Sequence, residues 1–327
     1  MNRTFRVAFI IGLVFIAFGN YIQTGYYIIK PGTAESLGDK VQVEGKVRDE
    51  EGQFYMVTVA QQEANLWAFL YASVNPVLDL RPVSGVIPPG MSLEEYNQIM
   101  QSWMQDSKYL AQVIALQRAG YDVSIASDGV EIKEIISGSP AEGILLAGDV
   151  IKAVEGQDVY LAEEVVNLIQ AKRIGESTNL TVQRGEELLD LNVTTTYHMD
   201  TTEKAALRIY VSTLNWQPLL PLDINIETGP VIGPSAGIMF VLEIMDRLVS
   251  DNLTAGHAIA GTGAISLNGK IGGIGGVKQK VVAAERAGIE YFLVPEENYQ
   301  EAKRVARKIE VVSVKELNEV LQFLQEL

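Results

Sequence analysis

The chain has 327 residues, a length that indicates two or three domains. Its 41 acidic and 26 basic residues give a formal net charge of −15, which argues against a nucleic-acid partner because such partners need a basic face. It has no cysteine and two histidines in no metal-binding pattern, so disulfides and cysteine nucleophiles are excluded, and we predict neither a metal site nor a cofactor.

The first predicted element is an apolar segment near the N-terminus. Val7–Phe18 carries no polar side chain, and tyrosines that suit a membrane interface follow it. We favour an uncleaved transmembrane anchor over roughly Phe5–Ile28, close to the ~20 residues that a bilayer requires. The alternative is a signal peptide cleaved after Ala17-Phe18-Gly19. Arg3 and Arg6 predict a single-pass protein of the cell membrane, with its N-terminus in the cytoplasm and its C-terminal domains outside the cell.

Residues 31–120 are predicted to contain a linker, strands and one long helix. The polar, turn-rich sequence after residue 30 indicates the linker, and the alternating segment Phe54–Val59 indicates a strand. The helix is expected to begin after Ser92, because Glu95 stands at the spacing of a capping box. Gly120 predicts its C-terminal end.

A small β-rich domain with short helices is predicted over residues 121–196. Strands, an amphipathic helix and a hairpin follow one another within about 75 residues, enough for a complete domain. The segment resembles PDZ domains of bacterial proteases at Gly138, Ser139, Pro140, Ala141, Gly143, Leu145, Gly148, Asp149, Ile151 and Gly156. The resemblance implies a groove near Gly129, Val130 and Ile132 that takes an extended peptide as an added strand. In the alternative interpretation these glycines only shape turns.

The octapeptide GPSAGIMF, Gly233–Phe240, is the first candidate catalytic feature. An apolar stripe with helical spacing follows Ser235, so this serine is predicted to open a helix. The free N–H groups and the dipole of a helix N-terminus can stabilise an oxyanion. They also suit an ordinary serine cap, which is the favoured interpretation of this octapeptide taken alone.

A glycine-rich segment, Gly272–Gly276, leads into the next predicted helix. It lacks the spacing and the Ser or Thr of a phosphate-binding loop, and no such loop occurs elsewhere, so no nucleotide partner is predicted. Lys278 and Lys280 fall in the first turns of the helix, where the dipole and burial would both favour a neutral amine able to accept a serine proton. The two side chains point about 200° apart, so only one can face inward.

The two motifs together resemble the proteolytic domain of Lon proteases, from about residue 207 to the C-terminus. The matching residues are Gly233, Pro234, Ser235, Ala236, Gly237, Thr262, Gly263, Ile274, Gly275, Gly276, Lys278, Lys280, Ala283, Ala284, Gly288, Ile289 and Pro295. The resemblance implies Ser235 as nucleophile and Lys278, rather than Lys280, as general base. It also places Gly233, Pro234, Ala236 and Thr262 in a supporting region around the oxyanion. Ile232 departs from the acidic residue of cytoplasmic Lon enzymes.

The order of anchor, PDZ domain and Lon-like domain is similar to the YlbL and SepM family of membrane peptidases in Gram-positive bacteria. Because the ATPase module of cytoplasmic Lon enzymes is absent from this sequence, the resemblance implies an ATP-independent serine endopeptidase that cleaves exported proteins or peptides. The PDZ domain would recruit or gate the substrate. The alternative is a non-catalytic, PDZ-containing binding protein or chaperone at the outer face of the membrane.

These inferences combine into an α+β fold with a transmembrane helix over residues 1–30, a PDZ domain over 121–196, and a Lon-like domain over 197–327. The resemblance implies the ribosomal protein S5 domain 2-like fold for the last of these. We expect Phe54–Val59 to join the protease sheet, with the PDZ domain inserted into the protease domain. Replacing Lys278 by Ala should abolish hydrolysis, and replacing Lys280 by Ala should have a much milder effect.

Overall fold

The computed structural model of the protein describes residues 18–46, 51–87, 91–197, 204–249 and 252–327. The chain divides into two compact units. The first contains residues 1–121 and 222–327, and the second contains residues 122–221. Most of the predicted anchor, residues 1–17, lies outside the described residues.

Twenty strands and seven α-helices are described in these ranges. The strands are β1 Gln23–Ser36, β2 Val41–Val43, β3 Gln53–Asn65, β4 Asp79–Pro82, β5 Ser124–Ala126, β6 Val130–Ile135, β7 Val150–Val154, β8 Gln157–Asp158, β9 Ser177–Arg184, β10 Glu187–Thr194, β11 Thr196–Tyr197, β12 Ala205–Ala206, β13 Ile209–Thr213, β14 Gln217–Leu219, β15 Ile224–Ile226, β16 Ala258–Gly261, β17 Ala264–Ile265, β18 Ile271–Gly272, β19 Tyr291–Pro295 and β20 Glu310–Val314. The helices are α1 Leu66–Val74, α2 Leu93–Arg118, α3 Ala162–Gln170, α4 Gly237–Leu248, α5 Val277–Arg286, α6 Glu296–Val305 and α7 Leu317–Gln325.

The first unit is built on a six-stranded mixed sheet in the order β20-β19-β16-β3-β1-β4. Strands β20, β19, β16 and β3 are parallel to one another, while β1 is antiparallel to both β3 and β4. The segment Phe54–Val59 lies in β3, where Phe54 pairs with Ile259 of β16. The N-terminal part of the chain therefore supplies three strands to this sheet, and the second unit interrupts the sequence of the first.

Strand β1 corrects the predictions for residues 23–36. This segment was expected to finish a membrane anchor and begin a linker, but it forms a 14-residue strand between β3 and β4. Pro31 and Gly32 suggest a turn in the sequence, but the strand accommodates them at a register shift between Pro31 and Ala34. Such a bulge admits residues that a regular ladder disfavours. A predicted anchor reaching Ile28 is therefore wrong at its C-terminal end.

Two helices of the first unit pack closely against each other. The capping box predicted for α2 is present, with the side chain of Ser92 accepting from Glu95 N–H and the carboxylate of Glu95 accepting from Ser92 N–H. Helix α4 is buried on all sides from Gly237 to Met245, rather than along a single stripe. A helix that is apolar all round needs neighbours on every face, and α2 supplies one of them.

The second unit has its own sheet and core, as expected for a PDZ domain. The strand order is β10-β9-β7-β6-β13, and residues of its strands and of α3 form one buried cluster. Strand β13 pairs with β6, and β14 pairs with β5. The unit therefore extends to Pro221, and residues 204–221 belong to it rather than to a protease domain that begins at residue 197.

Both units combine helices with mixed or antiparallel sheets, so the fold is α+β. Within the described ranges, no helix has both the length and the apolar character needed to cross a bilayer.

Replacing Gly261 by Ala should destabilise the first unit. A Cβ at Gly261 would lie 2.6 Å from Sδ of Met239 and 2.9 Å from Cβ of Leu293, in a packed core. Overpacking of this kind costs about 1–3 kcal/mol. The control is Gly275→Ala, because no atom lies within 4 Å of a Cβ at Gly275. Urea denaturation should show a lower midpoint for Gly261→Ala alone, and equal midpoints for the two variants would contradict the prediction.

Candidate functional site

Ser235 lies in the turn that leads into α4. The helix begins at Gly237 and its N-cap is Ala236, so Ser235 stands one residue before the cap. The prediction that the helix starts at Ser235 is therefore wrong by two residues, since its first residue is Gly237. Gly233, with a φ of 90°, adopts the left-handed conformation that a glycine accepts at no steric cost. The turn leaves the side chain of Ser235 partly exposed.

The backbone of Ser235 is fixed by the segment that follows β16. Its carbonyl oxygen accepts a hydrogen bond of 2.8 Å from the N–H of Gly263 and one of 2.9 Å from Oγ1 of Thr262. The N–H of Ile238 donates to the carbonyl of Gly263 over 3.3 Å. The turn before α4 and the end of β16 therefore hold each other in one arrangement.

Lys280 reaches Ser235 from α5. Its Nζ lies 2.7 Å from Oγ of Ser235 and 2.8 Å from Oγ1 of Thr262. Only 3% of the Lys280 residue is exposed, so the amine is held against the two hydroxyls inside the protein. This contact brings together a serine hydroxyl and a buried amine from segments 45 residues apart.

Burial lowers the pKa of Lys280 from its usual value near 10.5 to about 7, because apolar surroundings disfavour the charged ammonium. Among the described residues, no carboxylate forms an ion pair with Lys280 that would reverse this effect. The neutral amine is therefore populated substantially at neutral pH. A neutral amine beside a serine hydroxyl can act as a general base.

Lys278 does not reach Ser235, which corrects the choice made from the family resemblance. Its Nζ forms an ion pair with the carboxylate of Asp79 in β4. The apolar pattern of α5 contains the signal that distinguishes the two lysines. Val277, Val281 and Ala284 are buried at helical spacing, and Lys280 lies on that face, three residues after Val277. Lys278 lies about 200° from Lys280 around the helix, on the outer side.

Thr262, predicted in the supporting region, contacts both candidate catalytic residues. Its hydroxyl donates to the carbonyl of Ser235 and accepts from Nζ of Lys280. Because the threonine proton is already used, the oxygen of Thr262 can take only an N–H from the amine. That contact leaves the lone pair of a neutral Lys280 free for the hydroxyl of Ser235.

The predicted supporting residues near Ser235 divide into two roles. Gly233 donates its N–H to the carbonyl of Met100, and Pro234 has no N–H, so these two shape the turn. The N–H groups of Gly237 and Met239 donate to the carbonyls of Pro234 and Ala236, respectively. In the described part of the chain, no acceptor is paired with the N–H of Ser235 or Ala236. These two donors are the candidates for binding an oxyanion.

Helix α2 holds the turn before Ser235, a contact that the sequence did not indicate. The carbonyl of Met100 accepts from Gly233 N–H over 3.0 Å. The hydroxyl of Ser107, which is 3% exposed, donates to the carbonyl of Pro234 over 3.1 Å. Because Ser107 and Pro234 are 127 positions apart, no local pattern could have shown the contact.

The peptide groove predicted at Gly129, Val130 and Ile132 is wrong. Val130 and Ile132 are fully buried, and their strand β6 already pairs with β7 on one side and with β13 on the other. An added strand needs a free edge, which β6 does not have. Gly129 has a structural role, because a Cβ there would lie 2.8 Å from the carbonyl oxygen of Ile151.

An apolar groove lies instead between α3 and the segment β12–β13. Strand β13 stands at the end of the sheet, and the groove between it and α3 encloses about 290 Å³. Its walls include Val165, Val166 and Ile169 of α3 and Ile209 and Val211 of β13. A free strand edge beside an apolar helix face can bind an extended peptide by adding a strand.

The described residues contain no group of three or more His, Asp or Glu side chains that could hold a metal ion. The groups that the structure places at Ser235 are its own hydroxyl, the hydroxyl of Thr262, the buried amine of Lys280 and backbone N–H groups.

Residues 222–326 match the family described as the Lon protease (S16) C-terminal proteolytic domain, and residues 115–195 match the PDZ domain family. A Lon protease of Trichlorobacter lovleyi is 34% identical over 118 residues, which cover 34% of this chain and 14% of that protein. A Lon protease of Syntrophomonas wolfei is 41% identical over 105 residues, covering 30% of this chain and 13% of that protein. The match thus spans a small part of these proteins.

The PDZ domain of an SdrC-like protein from Listeria monocytogenes, solved by crystallography, is 22% identical, with a TM-score of 0.26, over 27% of this chain and 92% of that chain.

The family matches confirm two sequence resemblances, that of residues 121–196 to PDZ domains and that of the C-terminal part of the chain to the Lon proteolytic domain. The chain contains a Lon protease C-terminal proteolytic domain of the S16 type together with a PDZ domain.

Proposed function

We propose that the protein is a membrane-anchored serine endopeptidase in which Ser235 is the nucleophile and Lys280 the general base. The observation that carries this proposal is the 2.7 Å contact between Nζ of Lys280 and Oγ of Ser235. The amine is buried, and its pKa is lowered to about 7, as a general base at neutral pH requires.

The contacts of the site support a two-step reaction. Neutral Lys280 removes the proton of Ser235 as Oγ attacks the scissile carbonyl, and the resulting ammonium then protonates the leaving amine. Water hydrolyses the acyl-enzyme, with Lys280 again acting as base. The developing oxyanion is bound by the N–H groups of Ser235 and Ala236, which precede the positive end of the α4 dipole.

Other parts of the chain support the proposed location and substrate. The uncharged sequence between Arg6 and Lys30 supports a membrane anchor that leaves the folded units outside the cytoplasm. No phosphate-binding loop occurs in the sequence, which supports cleavage without ATP. The substrates would be exported, unfolded proteins or peptides. The groove between α3 and β13 would recruit or gate them by strand addition.

Lys280→Met should lower kcat/KM for an unfolded peptide at least about 10³-fold, because the apolar side chain fills the site but accepts no proton. Ser235→Ala should show a similar loss. Lys278→Ala is the matched control and should retain activity close to that of the unmodified protein, since Lys278 contacts Asp79 rather than Ser235. Peptide hydrolysis and labelling of Ser235 by a fluorophosphonate measure both effects.

If Lys278→Ala lost activity and Lys280→Met retained it, Lys278 would be identified as the general base. Full hydrolysis by both Ser235→Ala and Lys280→Met would contradict the proposed Ser-Lys pair. If the unmodified protein neither hydrolyses the peptide nor reacts with the fluorophosphonate, the alternative function stands, a non-catalytic binding protein or chaperone.

The pH profile of kcat/KM should report the titration of Lys280. The active form is the neutral amine, so kcat/KM should rise about tenfold per pH unit below the pKa of about 7 and reach a plateau above it. Steady-state hydrolysis between pH 5 and pH 9, corrected for unfolding, measures this curve. A profile that keeps rising toward pH 10 would show that the base is an ordinary exposed lysine.

Val166→Arg should weaken recruitment without changing the chemistry. Val166 is 41% exposed and lines the groove beside β13, so the longer charged side chain would obstruct an added strand. We expect KM for a long unfolded substrate to rise about tenfold, with unchanged hydrolysis of a short peptide. The control is Leu188→Arg on β10, an exposed position at the opposite edge of the same sheet. Equal effects of both variants would contradict this role of the groove.

A further inference from the structure

Helix α1 has an apolar outer surface that is exposed in the described part of the chain. Its sequence LWAFLYASV contains no charged side chain. The hydroxyl of Ser73 donates to the carbonyl of Phe69 within the helix, and the hydroxyl of Tyr71 accepts from the side-chain amide of Asn75. On the inner side, Ala68, Phe69 and Ala72 pack against β1, β3 and β4.

The outer side of α1 is equally apolar but exposed. Leu70 is 49% exposed, Tyr71 60% and Val74 81%. A helix at the surface of a water-soluble unit normally carries polar residues on its outer face. One that is apolar on both faces is expected to contact a second apolar phase or surface.

The chain enters the first unit beside this surface. Phe18 is 64% exposed and Tyr21 84%. Two contacts connect residues 18–22 to α1. The N–H of Leu66 donates to the carbonyl of Ile22 over 3.1 Å. Gly19 packs so closely on the ring of Trp67 that a Cβ at this position would overlap the ring. We name the residues Phe18, Tyr21, Leu70, Tyr71 and Val74 the α1 surface.

The sequence around the α1 surface is free of charge over two long stretches. No Asp, Glu, Lys or Arg occurs between Arg6 and Lys30, or between Glu63 and Asp79, in a chain that has 67 such residues (26 basic and 41 acidic). The first stretch begins with the wholly apolar run Val7–Phe18, which ends at the α1 surface itself.

We infer that the α1 surface lies on the lipid bilayer, so that the first unit contacts the membrane directly as well as through its N-terminal segment. Three observations select a bilayer over a second protein copy. The surface is uncharged, it continues into an apolar run, and Tyr21, Tyr71 and Trp67 are the amphipathic aromatics that favour the membrane interface. The contact would hold Ser235 at a fixed distance from the bilayer. It does not depend on the proposed proteolysis and would stand if the protein were inactive.

The absence of cysteine from the chain permits a direct test on the full-length protein. Val74→Cys, labelled with the fluorophore NBD and reconstituted in phosphatidylcholine vesicles, should emit at shorter wavelength. A nitroxide-labelled phospholipid should quench about half of this emission if the residue is buried ~5–10 Å into the interface. Lys303→Cys on α6 is the matched control, because α6 packs against β19 and β20 at the opposite end of the sheet and Lys303 is exposed. It should stay unquenched.

A second variant separates lipid contact from misfolding. Tyr71→Glu in the Val74→Cys background should abolish the quenching, with an unchanged midpoint of thermal unfolding, followed by circular dichroism, as the check on folding. Equal, weak quenching at positions 74 and 303 would overturn the inference. So would efficient disulfide formation between two Val74→Cys copies in place of quenching, since it would identify a second copy as the occupant.

Discussion

The candidate site depends on the burial of one lysine side chain in the core of the first unit. Within the part of the chain that the structure describes, the amine of Lys280 has two hydroxyls as partners and no carboxylate, so its surroundings favour the neutral form. Removing an ammonium from water is costly, and that cost is avoided when the group gives up its proton. The rest of the first unit supplies the rigid surroundings that keep the amine from reaching water.

Three segments meet to enclose this amine, and each is held by packing remote from it. Helix α5 is oriented by Val277, Val281 and Ala284, which fixes the direction of Lys280. The end of β16 places Thr262, and β16 lies between two parallel strands. The turn before α4 is held by Met100 and Ser107 of α2. The last of these contacts comes from outside the part of the chain that matches the Lon domain, residues 222–326. Helix α2 therefore serves as part of the scaffold of the site.

The second unit shows how strand pairing decides where a peptide can bind. Strand β13 comes after residues 115–195, the part of the chain that matches the PDZ family, and it covers the edge of β6. Its own outer edge then becomes available beside α3, where the apolar groove lies. A peptide could add to β6 only if β13 were absent. Each strand has two edges, and those of β6 are already paired with β7 and β13.

The sequence by itself determined the features that depend on local chemistry. The capping box of α2, the turn at Gly233, the serine before an apolar helix, and the PDZ motif all follow from short-range patterns that fix backbone conformation. The apolar spacing of α5 puts Lys280 on the face with Val277, Val281 and Ala284, but only the tertiary structure packed that face against β1 and β3 and brought Lys280 to Ser235. It also decided that residues 23–36 form a central strand despite Pro31 and Gly32, and that β13 closes the second sheet. Each of these outcomes is set by contacts between residues far apart in the chain, whose packing energy outweighs the local preference.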